Sequence, residues 1–397
     1  MIAVQEAENI ILSQVTNYGE ELLPFEQALG KVLAEDIITD RDLPPFNRAT
    51  VDGIAVSYVA IVNGLNTFRI KATQAAGQEP VSIDEPDECI EIMTGAALHA
   101  SVDTMIRYED IIIADGVATI NINDIKRGQN IHLKGKDKLN GDVIAKSGRM
   151  INAAVVSLAA SVGKTSLSVK RVPKIVVISS GDELVDAADI PSEYELRRSN
   201  NYTIKAILKT QGIDADMMHM PDDKAIIDIK LLGCLQTYDV ILLTGGISMG
   251  KYDYIPQALE DAGVTKLFHK VAQRPGKPFW FGRHANGKFV FAFPGNPVSV
   301  FMCMYRYFLP WLNQSLGLPK ELPVYARLSN DFTFTVPLQF FLQVKLNFTN
   351  DGILMATPIE GNGSGDFANL ADADAFIELT AEQSNFKAGE VFHVWKF

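Results

Sequence analysis

Apolar residues at the start of the chain recur at helical spacing, first as Ala7, Ile10, Ile11 and Val15 and then as Ala28, Leu29, Val32 and Leu33. That pattern predicts a helix pair over residues 1–43. Leu43-Pro44-Pro45-Phe46 follows as a stiff, extended exit, because each proline bars its predecessor from the helical region. Residues 44–138 then break into short β-like runs between Gly, Pro and Asp, the pattern of a small β-rich domain. Helical spacing returns in 139–169 through Ala153, Val156, Leu158 and Ala159 and stops at Ser161-Val162-Gly163. The β-rich domain therefore reads as an insertion into a helical domain made of 1–43 and 139–169.

From 170 to 314 strand and helix alternate. Residues 174–179 form a continuous apolar run, the type buried on both faces of a parallel sheet. Ser199 or Asn200 caps a helix that carries Ile204, Ile207 and Leu208 on one face and stops at Gly212. Residues 213–218 read as the next strand, and Asp222 or Asp223 as the cap of the next helix. Residues 238–243 are another buried strand, and Asp253 caps a helix ending near Gly263. A late strand over 288–293 opens into Pro294-Gly295-Asn296-Pro297 and a last helix. Such alternation predicts a doubly wound α/β domain. The tail, 315–397, alternates apolar and polar positions between turns and reads as a small β barrel or sandwich.

Composition narrows the function. At 397 residues the chain exceeds what one core supports. A net charge of −12 excludes a general nucleic-acid binder, which needs a basic footprint, yet a few local cations can still hold a small anion. Cys89, Cys234 and Cys303 form no Cys-x-x-Cys pair, which sets aside a disulfide framework and a zinc site. Glu6 and Glu8 stand where a signal peptide needs its apolar core. The most apolar late stretch, 297–312, is interrupted by Arg306 and Pro310 and is no membrane span. A soluble, cytoplasmic protein is expected.

In open α/β sheets, ligands bind outside the carboxyl ends of the strands. Four loops of the domain fall there: Ser179-Ser180-Gly181-Asp182-Glu183, Pro221-Asp222-Asp223, Gly245 to Asp253, and Pro294-Gly295-Asn296-Pro297. A glycine-rich turn entering a helix offers backbone N–H groups to an anion. Gly245-Gly246 with Gly250 lacks the Lys-Ser/Thr of a P-loop, so the signal stops at a phosphate-bearing ligand. Glu183, Asp222 and Asp253 converge at this edge near Lys270, Arg274 and Lys277. Carboxylates facing a phosphate repel it unless a divalent cation lies between, and oxygen ligands suit Mg2+. On spacing alone, Asp222 and Asp253 serve equally well as helix N-caps, and each cation as an ordinary solvated charge. In the inserted domain, Asn47 to Gly53 reads as a polar turn in which Asp52 is a turn-former beside Gly53. Thr94, in Met93-Thr94-Gly95-Ala96, is a turn hydroxyl, and Gly135-Lys136-Asp137 a loop tip.

At these same residues the chain resembles the MoeA family of molybdopterin molybdenumtransferases, which includes the E domain of gephyrin. The ordered motifs are Pro44-Pro45-Phe46, Thr50 to Val56, Ala76-Gly77, Ile92 to Ala96, Ser180 to Leu184 and Ser199-Asn200. They continue as Asp222-Asp223, Gly245 to Gly250 (through Ser248), Asp253-Tyr254, Pro275-Gly276-Lys277-Pro278 and Pro294 to Pro297. The resemblance implies a multidomain α/β protein. Its parts are a helical domain over 1–43 and 139–169, an inserted β-rich domain over 44–138, a doubly wound MogA-like α/β domain over 170–314, and a small C-terminal β barrel over 315–397. It also implies a cytoplasmic homodimer with a composite active site, in which Asp52 and Thr94 reach Glu183, Asp222 and Asp253 of the other subunit. Asp137 matches a further acidic position. The implied reaction inserts molybdate into adenylylated molybdopterin and releases AMP. Mg2+ would sit on Glu183, Asp222 and Asp253. Ser180, Gly181, Asp182, Asn200, Gly245, Gly246, Ser248, Gly250, Lys270, Arg274, Lys277, Pro294, Gly295 and Asn296 would line the substrate.

Two positions depart from the family pattern. Arg274 stands where lysine is usual, and Phe341-Leu342-Gln343 replaces a Phe-x-Arg motif, which removes one cation. A gephyrin-like scaffold and the adenylyltransferase step of the same pathway are the rival readings. The intact acidic set favours an enzyme over a scaffold, and the three additional domains favour insertion over adenylylation.

Overall fold

The computed structural model describes residues 1–247, 254–359, 361, 363 and 365–397. It falls into two compact units, Met1–Ala34 with Gly148–Asn152 and Leu167–Phe397, and Glu35–Ser147 with Ala153–Ser166. The first unit opens on helix α1 (Val4–Leu12), whose expected apolar face is buried through Val4, Ala7 and Ile11. The expected second helix does not form. Glu20–Pro24 is a strand, and Val32 and Leu33 bridge Met150 and Val169 instead. Gly30, at φ +78°, interrupts the apolar set. What remains is too short to offset the cost of helix nucleation.

The second unit is built on six strands: β1 (Gly53–Val56), β2 (Thr67–Gln74), β3 (Glu88–Ile92), β4 (Thr104–Arg107), β5 (Ile111–Ala114) and β6 (Val117–Ile120). They form one sheet in the order β4-β1-β3-β2-β6-β5, antiparallel except for β2 beside β3. Strand periodicity divides its side chains between two faces. Ile54, Val56, Phe68, Cys89 and Ile106 fill one core, while Ala55, Ile90, Ile92 and Met105 fill the other. Helix α2 (Ala153–Ser161) belongs to this unit and buries Val155 and Ala159.

Returning to the first unit, β7 (Ile175–Ser180), helix α3 (Ser199–Thr210), β8 (Asp216–Met220), helix α4 (Lys224–Thr237) and β9 (Val240–Thr244) run in succession. Helix α5 (Ile255–Asp261), β10 (Val264–His269), β11 (Trp280–His284), β12 (Phe289–Phe293) and helix α6 (Pro297–Cys303) follow. The sheet order is β8-β7-β9-β12-β11-β10. The first four strands are parallel, and β11 runs against both of its neighbours. Helices cover both faces: Ile204, Ile207 and Leu208 of α3 pack with Val177, Leu242 and Phe291, whereas Ile227 and Leu231 of α4 pack with Val176, Ile241 and Val290. This is the doubly wound domain, with the antiparallel pair β10–β11 as an edge that the alternation of strand and helix does not reveal.

The tail closes into a barrel of five strands: β13 (Val324–Leu328), β14 (Gln339–Phe348), β15 (Leu354–Pro358), β16 (Ala375–Leu379) and β17 (Val391–Lys396). They pair in the cycle β14-β15-β13-β17-β16-β14, which leaves no free edge around the ring. Gln273-Arg274 pairs with Gln339-Phe340 at the start of β14, so the loop between β10 and β11 is tied to the barrel. Among the described residues, no helix is long and apolar enough to cross a membrane.

Candidate functional site at the carboxyl edge of the parallel sheet

Strand β7 sits between β8 and β9, so the chain reverses its winding at β7, and a crevice opens beyond the carboxyl ends there. Parallel register sets Ser180 opposite Met220. That alignment brings the next turn back over the strand end, and Ser180 Oγ donates to Asp222 Oδ1 at 3.0 Å. The Asp222 N–H in turn donates to Asp182 Oδ1 at 3.0 Å. Asp223, not Asp222, is the helix cap, accepting from the Ile226 N–H at 3.0 Å. The carboxylate of Asp222 is thereby turned to the crevice loops rather than to the helix start. The expected caps Ser199 and Asn200 lie inside α3, which begins one residue after Arg198 without a side-chain cap.

Glycine is required where loops meet. Gly245, at φ +87°, lies so close to β7 that a Cβ there would stand 2.7 Å from the Ser180 carbonyl oxygen. Gly246, at φ +66°, has the Ile255 Cδ1 methyl 2.6 Å from the same imaginary atom. A Cβ on Gly181 would meet Glu183 Oε2 at 2.5 Å, so the Glu183 carboxylate lies directly over that turn. The loop after β12 joins the group through Asn200 Nδ2, which donates to the Gly295 carbonyl at 2.7 Å. Asn200 Oδ1 stays buried with no partner among the described residues. Ser248, Gly250 and Asp253 lie outside the described residues.

The cations come from the loop between β10 and β11. Its base is pinned by the Lys270 N–H to the Phe279 carbonyl and by the Val271 N–H to the Lys277 carbonyl, both at 2.9 Å. Inside it, Gln273 is fully buried, donates to the Gly276 carbonyl at 3.1 Å and accepts from the Tyr307 hydroxyl. That anchor leaves Arg274 and Lys277 exposed on the surface of the loop. A cavity of about 360 Å³ joins both to Pro294, Gly295, Asn296 and Ser299. Lys270 is outside this lining. A second cavity of about 240 Å³ shares Arg274 and contains Gln343, whose Oε1 is buried without a partner among the described residues. Arg274 also lies over the Phe334 ring, 5.8 Å from its centroid.

Sequence reasoning missed the layer beneath. Ser179 Oγ lies 3.1 Å from His219 Nδ1 and 3.3 Å from Asn201 Nδ2, and Asn201 itself is buried. Burial, with Arg198 and Lys230 nearby, lowers the basicity of His219. His269 is lowered mainly by burial, and its Nε2 lies 3.1 Å from the Ile247 carbonyl, linking β10 to the glycine loop. Ser179, His219 and His269 lie at or near strand ends, whereas Asn201 lies in the first turn of α3.

In the second unit, Asp52 is more than a turn-former. Its Oδ1 accepts from the Thr94 N–H at 2.6 Å and from the Thr94 hydroxyl at 2.8 Å, and these two bonds hold the carboxyl below its usual range. Gly53 is where β1 lies against the Ile106 carbonyl. Asp137 is held separately, with its Oδ1 2.9 Å from His132 Nε2. Among the described residues no three His, Cys, Asp or Glu side chains converge as a metal cluster. Asp222 and Asp182 are joined by one backbone hydrogen bond, and Glu183 lies over Gly181. The acids at this edge are therefore neighbours along the loops and not a formed metal site, though carboxylate oxygen is the ligand type that Mg2+ takes.

Comparison with known proteins covers the chain in three segments. Residues 2–163 match the MoeA N-terminal region (domain I and II), 176–314 a "Probable molybdopterin binding domain", and 325–397 the MoeA C-terminal region (domain IV). The chain is 39% identical over 395 residues to a molybdopterin molybdenumtransferase of Synechocystis sp., covering 99% of each. It is 31% identical over 401 residues to a molybdopterin molybdenumtransferase of Staphylococcus epidermidis, covering 99% of this chain and 95% of the other. Among solved structures, a molybdopterin biosynthesis moeA protein from Pyrococcus horikosii superposes with a TM-score of 0.85 at 28% identity, covering 100% of this chain and 99% of that one.

The division of labour between the adjacent aspartates is testable by stability. Asp223→Ala should lower the unfolding free energy by about 0.5–2 kcal/mol, the usual cost of a lost cap, while Asp223→Asn keeps most of it. Denaturant melts of the two variants check this. Equal stability in wild type and Asp223→Ala would contradict the cap assignment.

Proposed function

The chain belongs to the MoeA family, and on that footing we propose that it inserts molybdate into adenylylated molybdopterin and releases AMP, working as a cytoplasmic homodimer. The observation that carries the reading is a hydrogen-bonded acid, Asp222 on Ser180, beside the glycine loop, with Gly295 lying both against Gly245 and in the cavity of Arg274 and Lys277. A pyrophosphate carries charge that backbone N–H groups and cations stabilise. On this reading the acids serve the phosphate end, through a cation.

Glu183, Asp222 and Asp253 would hold Mg2+, whose chemistry when bound is to offset phosphate charge and polarise the bond that breaks. Gly245 and Gly246 let the ligand approach the backbone. Ser180 fixes one oxygen of Asp222, so the carboxylate keeps its orientation without help from the ligand. Arg274 and Lys277 offset the charge of molybdate and of the pyrophosphate, and the flat guanidinium can hold an oxyanion through two parallel N–H bonds. Water adds at the molybdopterin phosphorus while the phosphoanhydride bond breaks, and the electron pair of that bond leaves on the phosphate oxygen of AMP. The two dithiolene sulfurs bond molybdenum as one molybdate oxygen departs with the two thiol protons as water. Asp52, with its carboxyl aligned by Thr94, acts on the substrate from the partner subunit, and Asp137 is a further acid that acts on it.

The direct assay is AMP release from adenylylated molybdopterin. Release should require molybdate, stop on chelation of divalent ions, and return when Mg2+ is added. Turnover that survives exhaustive removal of divalent ions would rule out the metal bridge, and consumption of ATP in place of AMP release would indicate the adenylylation step.

Subunit mixing tests the composite site. Asp52→Ala and Glu183→Ala homodimers should both be inactive, since every cleft lacks one group. Their heterodimer pairs both lesions in one cleft and leaves the other intact, so each fully formed heterodimer should recover up to about half the native rate under two-fold symmetry. Verified heterodimers without activity would show that each site is built within one subunit.

A further inference from the structure

His132 occupies a position that the proposed chemistry does not use, yet it is bound on both ring nitrogens. The segments Arg48-Ala49 and Ile131-His132 pair antiparallel with His132 directly opposite Arg48. Arg48 Nη2 lies 3.4 Å from His132 Nδ1, and His132 Nε2 lies 2.9 Å from Asp137 Oδ1. A guanidinium carries only donors, so Nδ1 facing it must be the acceptor. The ring proton then sits on Nε2 and points at the carboxylate of Asp137. Arg48 thus selects the tautomer, and the tautomer aims one hydrogen bond at an acid.

The surroundings show why that bond matters. The Asp137 backbone is fixed, because its N–H donates to the Leu43 carbonyl at 2.9 Å and the neighbouring Gly135 N–H donates to the Pro44 carbonyl at 2.9 Å. An ion pair of Lys134 with Asp42, at 3.6 Å, closes the same turn. The Asp137 side chain, by contrast, is 54% exposed, while that of His132 is 24% exposed. Among the described residues, His132 is the one side chain that hydrogen-bonds the Asp137 carboxylate. Without it, an exposed aspartate rotates among staggered rotamers. We propose that His132 is a positioning residue, which, with its tautomer set by Arg48, holds the Asp137 carboxylate in one orientation for the reaction. This rests on the reading of Asp137 as a group that acts on the substrate.

The test uses the full-length protein and molybdate-dependent AMP release. His132→Ala should lower kcat by about 10- to 100-fold, the range seen when an orienting partner is lost, with KM for adenylylated molybdopterin changed far less. His132→Gln should restore most of kcat, because its amide N–H reaches the place of Nε2–H and cannot adopt the wrong tautomer. Asp137→Ala should be at least as impaired as His132→Ala. Thermal melts of all three establish that they are folded. Native kcat in His132→Ala beside an inactive Asp137→Ala would overturn the positioning role and leave the function standing. No recovery in a folded His132→Gln would also overturn it. Full activity in Asp137→Ala would remove both the role of His132 and the role of Asp137.

Discussion

The close approach of Gly245 to the end of β7 is the contact on which the rest of the site depends. A single Cβ there would press on the Ser180 carbonyl at 2.7 Å, so the loop after β9 can cross the strand end only as glycine. Because it does cross, the backbone of that loop, the hydroxyl of Ser180 and the carboxylate of Asp222 share one small region. The parallel sheet supplies the second half of the constraint. Ser180 opposite Met220 fixes how far beyond the strand the Asp222 turn begins. Both features bring polar groups to the carboxyl edge of the sheet, where Ser180 is itself buried beside the core residue Met220.

The fold was legible in the sequence where one interaction dominates. Residues 174–179 and 238–243 are apolar without alternation because both faces of those strands are covered, and β7 and β9 are indeed buried throughout. The apolar face of α3 was equally plain. The expected helix through Ala28 and Leu33 failed because the same spacing also suits residues buried one by one in irregular chain, with Gly30 breaking the run. The antiparallel pair β10–β11 escaped notice because β10 lies at the edge of the sheet and only two of its six positions are fully buried.

The site was legible as a set of residue types, less so as an arrangement. Asp222 and Asp223 are identical neighbours, and only the strand register assigns one to the helix and the other to the crevice. Arg274 and Lys277 were ordinary charges in the sequence. Their common cavity exists because buried Gln273 and Tyr307 anchor the loop between them. Asp52 looked like a turn residue, and its bond to Thr94 spans 42 positions that no local pattern connects. His132 gave no signal at all, since its meaning comes from Arg48 on a paired strand. Long-range pairing, not residue chemistry, is what the sequence withheld.

The central claim is that the Asp222 carboxylate serves the chemistry through its charge and the fold hardly at all. Asp222→Asn isolates that charge, because the amide oxygen can still accept from Ser180 and the side chain keeps its size. The measurement is molybdate-dependent AMP release by the purified variant, beside its melting curve. The account predicts a wild-type melt and a fall in turnover of about 10²-fold or more, the scale of losing one preorganised electrostatic group. Native turnover in the folded variant would contradict it.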